Sequence, residues 1–272
     1  MASCNSTRYP DLCYSAATSF PDDSAKSDVV VAADGSGKYR TVSAAVADAP
    51  KHSAKRYIIK IKAGVYRENV EVPSEKTNIM FLEMEGKKTI ITSSRNVVDG
   101  GTTYHSATPW WRKGFLARDI TFQNTAGASK YQAVALRVES DFAAFYKCGM
   151  VAYQNTLHVH SNRQFFTNCY IAGTVDFIFG NSAAVFQDCD IRARRPNPGQ
   201  TITITAQGRS DPNQNTGIST KTVGPVPEPQ KGSLERIQVI TDATEAQAFT
   251  ARNFITGSSW LKSTTFPFSL GL

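Results

Sequence analysis

The sequence predicts an all-β chain folded as a right-handed parallel β-helix, a solenoid with one short capping helix, and three observations carry that prediction. Cys148, Cys169 and Cys189 recur 21 and then 20 residues apart, each following an aromatic or apolar pair (Phe145 and Tyr146, Phe165 and Phe166, Val185 and Phe186). Similarity at a fixed period of this length marks stacked repeats, each turn burying its apolar side against the next. From position 57 onward, short β-rich runs alternate with turns and show no helical periodicity. Gln-Asn-Thr recurs at 123–125 and 154–156, as though successive coils repeat one phrase.

In chain order, Val29, Val30 and Val31 open the β region. The Ala-Asp-Gly-Ser-Gly-Lys stretch at 33–38 reads as a turn. A phosphate loop would need glycine where Ala32 stands and Ser or Thr where Tyr39 stands, and the dinucleotide pattern would need glycine in place of Arg40. Val42, Ala45 and Val46 at helical spacing predict a short helix over 41–49 that caps the open end of the solenoid. The runs YIIKIKAGVYRENVEV, NIMFLEM, KTIITSS and FLARDITFQNT follow as strands. Three prolines and two glycines between 224 and 232 predict a turn-rich or extended linker, after which a strand resumes near Ile237.

With 272 residues, 41% of them hydrophobic and only 19% charged, the chain can bury a core as one elongated domain, and wholesale disorder is excluded. No apolar run approaches the roughly 18 residues that span a bilayer. The opening MASCNSTRYP lacks the apolar region of a secretory leader, whereas the sequon Asn5-Ser6-Thr7 fits an extracellular chain. Five cysteines leave two readings open: Cys148 and Cys169 pair across neighbouring coils, or Cys148, Cys169 and Cys189 are small buried apolar residues. The net charge of +7 fits a solvated basic surface or a polyanionic partner. Nucleic acid is disfavoured, since Arg192, Arg194 and Arg195 form an isolated cluster without a binding motif.

Asn155 lies seven residues after Cys148 and Asp176 seven after Cys169. Equal offsets in successive coils stack about 4.8 Å apart, so the two side chains share one column. Around them, YQNTLHVHSNRQFF, GTVDFIFGNSA and CDIRARRPNPGQ closely resemble plant pectin methylesterases (pectinesterases). The likeness runs from about 29 to 217 and resumes from about 237 to 272.

The resemblance implies cofactor-free hydrolysis of galacturonate methyl esters in pectin, within the extracellular cell wall. Asp176 matches the nucleophile, Gln154 and Gln132 the oxyanion and substrate glutamines, and Thr103 a substrate-contacting threonine; Phe177 is expected to line the sugar groove. Such chemistry uses two carboxylates, one ionised to attack and one protonated to release methanol. Asn155 stands where the family has its acid/base Asp, and an amide neither delivers nor accepts that proton. The family's Leu-Gly-Arg-Pro-Trp stretch, with its active-site Arg, has no counterpart; Arg209 is not at that position, and Trp110 and Trp111 lie in a segment that replaces a family one. Residues 1–28, with Cys4 and Cys13, resemble the opening helical hairpin of the inhibitor-type pro-region, followed by a linker. The implied organisation is therefore a helical stub over 1–28 and a β-helix domain over 29–272, shortened around 218–236. A monomer is expected, with pectin and a pectin methylesterase inhibitor protein as partners and neither nucleic acid nor membrane.

Three rival readings are weighed beside an impaired esterase. One is a pectin-binding relative without catalysis, and another a truncated, inactive gene product. The third is a pectate lyase on the same fold, but it needs clustered carboxylates for calcium, and the sequence offers no such cluster. His158 and His160 alternate on one strand without a third ligand at metal spacing, and no Gly-x-Ser-x-Gly elbow supports a serine esterase.

Overall fold

The computed structural model describes residues 26–106, 108–110, 113–221, 240 and 242–272. The helical stub, Cys4, Cys13, the sequon, the proline-rich linker and the strand near Ile237 all lie outside them.

The described chain winds into three parallel sheets of eight, six and five strands, and each of the five coils that begin at β4, β7, β10, β13 and β16 contributes one strand to every sheet. The first sheet orders β1 (Val29–Val31), β2 (Tyr57–Ile61), β4 (Ile79–Glu83), β7 (Leu116–Arg118), β10 (Ala143–Tyr146), β13 (Arg163–Thr167), β16 (Ala183–Gln187) and β19 (Gly217–Lys221). The second orders β3 (Gly64–Arg67), β5 (Thr89–Ser93), β8 (Ile120–Asn124), β11 (Gly149–Val151), β14 (Tyr170–Gly173) and β17 (Asp190–Ala193). The third orders β6 (Thr108–Trp110), β9 (Leu136–Val138), β12 (Leu157–Val159), β15 (Ile178–Gly180) and β18 (Thr205–Gln207).

The cysteine period is the coil period. Gly149 pairs with Tyr170, and Tyr170 with Asp190, so the preceding Cys148, Cys169 and Cys189 form one column. All three are free and buried, which decides for the apolar reading over a disulfide. Burial pushes the Cys169 thiol well above the ordinary range, as it must where no water solvates a thiolate. Just before each cysteine, a residue in the left-handed region (Lys147, Asn168 or Asp188) turns the first sheet into the second. Phe145, Phe166 and Phe186 stack at 4.8 and 4.6 Å with rings 6° from parallel, forming the spine of the interior. Face contacts of this kind add about 0.5–1.5 kcal/mol each to the area they bury.

The tripeptide repeat is not a coil repeat. Gln123 pairs with Val151, three residues before Gln154. Gln154 instead bridges Gln132, because the chain between β8 and β9 carries extra residues that shift the count.

The predicted cap is present as α1 (Val42–Asp48), which starts where the Thr41 hydroxyl accepts a hydrogen bond from the Ala44 amide. It buries Val42, Ala45 and Val46 in the core at the β1 end. At the other extreme of the sequence, residues 242–272 form short turns of helix against the outer face of the first sheet. Ala251, Phe254, Ile255, Trp260, Leu261 and Phe266 bury Leu116, Phe165 and Val185 there.

Candidate functional site

The site forms where each coil turns into the third sheet. Leu157 pairs with Ile178, so Asn155 and Asp176 stand level on adjacent coils, as their equal offsets predict. Both backbones are left-handed, with φ of 63° and 48°. Asn and Asp tolerate this region better than most residues, so the turn itself accepts either. The Asn155 amide N–H donates to the Val175 carbonyl at 2.9 Å and locks the turn.

The two side chains differ in environment. Asn155 is 5% exposed; its Nδ2 reaches the Asp176 backbone carbonyl at 3.5 Å, while its Oδ1 is buried without a hydrogen-bond partner. Asp176 is half-buried, and among the described residues burial is the one influence on its carboxylate, with no hydrogen-bond donor beside it. Burial alone therefore pushes the Asp176 carboxyl above its ordinary value of 3.8.

The Gln132 and Gln154 bridge lies one residue upstream in the same turn. The Thr103 hydroxyl, on α2 (Thr103–Ser106), donates to Gln132 Oε1, which turns the Gln132 amide NH₂ away from Thr103. Gln154 keeps a buried Oε1 without a partner. The Thr103–Gln132 hydrogen bond, the Gln132–Gln154 bridge and the Asn155–Asp176 column link these five residues along adjacent coils.

Phe177 does not line a groove. It is fully buried in the interior cluster, and its N–H donates to Thr203. The left-handed Asp176 resets the alternation of faces, and Ile178, registered on buried Leu157, continues the inward column. Phe179 is the residue that faces out. It stacks on His158 at 4.2 Å and 11°, and together with His160, Ser161, Asn181 and Ala206 they line a cleft of about 440 Å³. Burial, followed by the charges of His160 and Arg137, lowers the His158 pKa to about 3, so its ring is neutral and presents an apolar face. Strand alternation counted from Ile178 would have found Phe179 in the sequence.

A wall beside this cleft is built by Arg137, which is fully buried, ion-paired with Glu139, and set against the Tyr104 ring with its Nη1 on the Tyr104 carbonyl. The sequence cluster of arginines disperses: Arg192 pairs with Asp190, whereas Arg194 lies 3.8 Å from the Tyr153 ring and donates to the Ala152 carbonyl. Arg209 donates to the Thr216 carbonyl. The Trp110 side chain and Trp111 lie outside the described residues.

The family model described as Pectinesterase matches residues 28–233. The chain belongs to the pectinesterase family. It is 53% identical to a pectinesterase of Daucus carota, an alignment that takes in 90% of this chain and 98% of the relative. It is 54% identical to a pectinesterase/pectinesterase inhibitor of Solanum lycopersicum, of which it spans only 54%. The solved pectin methylesterase from carrot superposes with a TM-score of 0.85 at 51% identity, covering 91% of this chain and 99% of that one. A pectin methylesterase solved in complex with a hexasaccharide matches at 30% identity and a TM-score of 0.61, covering 72% of this chain and 67% of that one. The carrot alignment runs over 312 positions and the chain has 272 residues, so its relative carries residues with no counterpart here.

Proposed function

We propose that this pectinesterase-family chain is a carboxylic ester hydrolase that demethylates methyl-esterified galacturonan in the plant cell wall, with turnover reduced by its altered active site. The observation that carries this reading is the half-buried Asp176 carboxylate beside Asn155 and the Gln132–Gln154 pair, on a β-helix 53% identical to the carrot pectinesterase.

Asp176, when ionised, attacks the ester carbonyl carbon. Charge then develops on the carbonyl oxygen, where the Gln154 and Gln132 amides donate, with Thr103 holding Gln132 in orientation. The tetrahedral intermediate collapses to an acyl–Asp176 anhydride as methoxide leaves. Asn155 has no proton to give, so water protonates the methoxide to methanol and a second, unactivated water hydrolyses the anhydride. Loss of a positioned acid/base group lowers rates by typically 10²–10⁴-fold. The Phe179 and His158 faces support the sugar ring.

In the same reading, residues 1–28 are a remnant of an inhibitor-like pro-region, the domain over 29–272 is shortened around 218–236, and an inhibitor protein is a further partner. A second reading, a pectin-binding relative without catalysis, is favoured by the orphaned Asn155 Oδ1 and by the lack of any described donor at Asp176. Methanol release from highly methylated pectin separates the two. Activity abolished by Asp176→Asn supports the esterase. Silence in the parent and in Asn155→Asp, with pectin binding retained, supports the binder.

A further inference from the structure

We propose that Arg194 is a positioning residue for the site, its side chain strapping down the corner that carries Gln154 and Asp176; the inference rests on the reading of Asp176 as the nucleophile. Left-handed residues such as Asn155 and Asp176 keep their backbone only where the surroundings over-determine it. Residues 152–156 connect β11 to β12 and residues 174–177 connect β14 to β15, so two successive coils leave the second sheet by a tight corner. Thr174 N donates to the Tyr153 carbonyl and Asn155 N to the Val175 carbonyl, both at 2.9 Å, and tie those corners together.

The next coil does not follow them. Residues 194–204 connect β17 to β18 by a longer route that closes on itself. Gln200 N donates to the Asn197 carbonyl at 3.1 Å, and Gln200 Oε1 accepts from Asn197 N at 3.2 Å. The ladder resumes at Thr203, whose N–H donates to the Thr174 carbonyl at 3.1 Å. Support beside Thr174 is therefore left to the first residue of the loop, Arg194.

Arg194 supplies it with its side chain. Its backbone N donates to the Gly173 carbonyl at 2.7 Å on the neighbouring coil, while Nη1 reaches past that coil to the Ala152 carbonyl at 2.6 Å. Ala193 registers on Gly173 and Ala172 on Val151, so the strap spans two coils. Its Cζ lies 3.8 Å from the centre of the Tyr153 ring. Thr174, on the coil that is crossed, is 1% exposed, and its Oγ1 has no hydrogen-bond partner among the described residues. Cover, rather than a bond of its own, holds that side chain. Ala152 and Tyr153 lead directly into Gln154, and Thr174 stands two residues before Asp176. A planar guanidinium can donate to a carbonyl and stack on a ring at once, whereas an ammonium is a point donor. Charge is not the means, because burial is the one influence on the Asp176 carboxyl.

The test is NMR on the full chain with isotope-labelled aspartate, titrating the Asp176 carboxyl in the parent, in Arg194→Met and in Arg194→Lys. Its signal is assigned by its loss in Asp176→Asn, and circular dichroism confirms each fold. Methionine keeps an apolar stem over Thr174 but cannot donate to Ala152; should it fail to fold, Arg194→Lys gives the same reading. A loosened corner admits water, so the Asp176 pKa falls toward the ordinary 3.8 in both variants. Loss of a merely nearby cation would raise it in Arg194→Met and leave it unmoved in Arg194→Lys. Methanol release should fall roughly 10–100-fold in kcat with KM little changed, as for a misplaced reacting group. An unmoved or raised pKa in a folded variant, or an unchanged kcat in an active parent, would overturn the proposal. A parent that releases no methanol sinks the esterase reading alone, and the titration still reads the hold of Arg194 on Asp176.

Discussion

Asn155 and Asp176 stand one coil apart in a single column, and the Asn155 amide reaches the backbone carbonyl of Asp176 rather than its carboxylate. In the proposed reading, Asn155 stands at the place of the second carboxylate, as a group that holds the turn but moves no proton. Asn155→Asp is expected to raise methanol release by about 10²–10⁴-fold, the scale of a positioned acid/base group. Asp176→Asn is expected to remove whatever activity the parent has. If Asn155→Asp gained nothing while its melt matched the parent, the missing proton would not be what limits turnover.

The raised pKa of Asp176 has consequences for both rate and stability. Attack needs the ionised form, so activity falls as pH drops through a value above the ordinary 3.8. For stability, the folded state holds this proton more tightly than the unfolded state. That contribution is complete below the unfolded value and is lost as pH rises through the folded one. Asp176→Asn is uncharged throughout, so it should raise Tm over the parent at about pH 7 and give no such gain at about pH 3. Equal Tm differences at both pH values would contradict the burial of this carboxylate.

Phe177 and Phe179 are two residues apart but do different things. Phe177→Ala empties a fully buried position and is expected to cost about 3–5 kcal/mol in urea unfolding. Phe179→Ala removes one face of the His158 stack, with little effect on the melt. It should raise KM for methylated oligogalacturonide by a factor corresponding to about 1 kcal/mol, the scale of one aromatic face contact. The reverse pattern would return Phe177 to the groove.

The coil period was legible because the columns that build the interior, Phe145–Phe166–Phe186 and Cys148–Cys169–Cys189, repeat at the length of one coil. The same count placed Asn155 against Asp176. Where the chain departs from that length, counting fails. The longer excursion between β8 and β9 shifts Gln-Asn-Thr out of register, and the left-handed φ at Asp176 reverses which phenylalanine faces out. One signal was present and unread. Ile79–Glu83, Ala143–Tyr146 and Ala183–Gln187 are buried along their whole length. Continuous runs of this kind mean that both faces of a sheet are covered. The inner face belongs to the core, and the outer face to a layer supplied by residues 242–272, which have no repeat of their own.

That outer layer supplies the last prediction. Trp260 is 7% exposed, lies 5.3 Å from the Phe142 ring, and donates its indole N–H to the Ile255 carbonyl at 3.0 Å. Arg163 ties the layer to the coils: it pairs with Asp141, and its Nη1 donates to the Thr256 hydroxyl at 2.9 Å. Burial pushes the Asp141 carboxyl up, but hydrogen bonds from the Arg163 side chain and backbone outweigh it and hold the pKa below the ordinary value. Trp260→Ala is therefore expected to cost about 3–5 kcal/mol in urea unfolding. The groove opens from the third sheet and the tail packs on the first, so methanol release per folded molecule should not change. A stable Trp260→Ala would mean that the tail rests on the sheet without supporting it. Removing 242–272 altogether would bare Leu116, Phe165 and Val185 as one apolar surface, and association through that surface should appear as turbidity on warming.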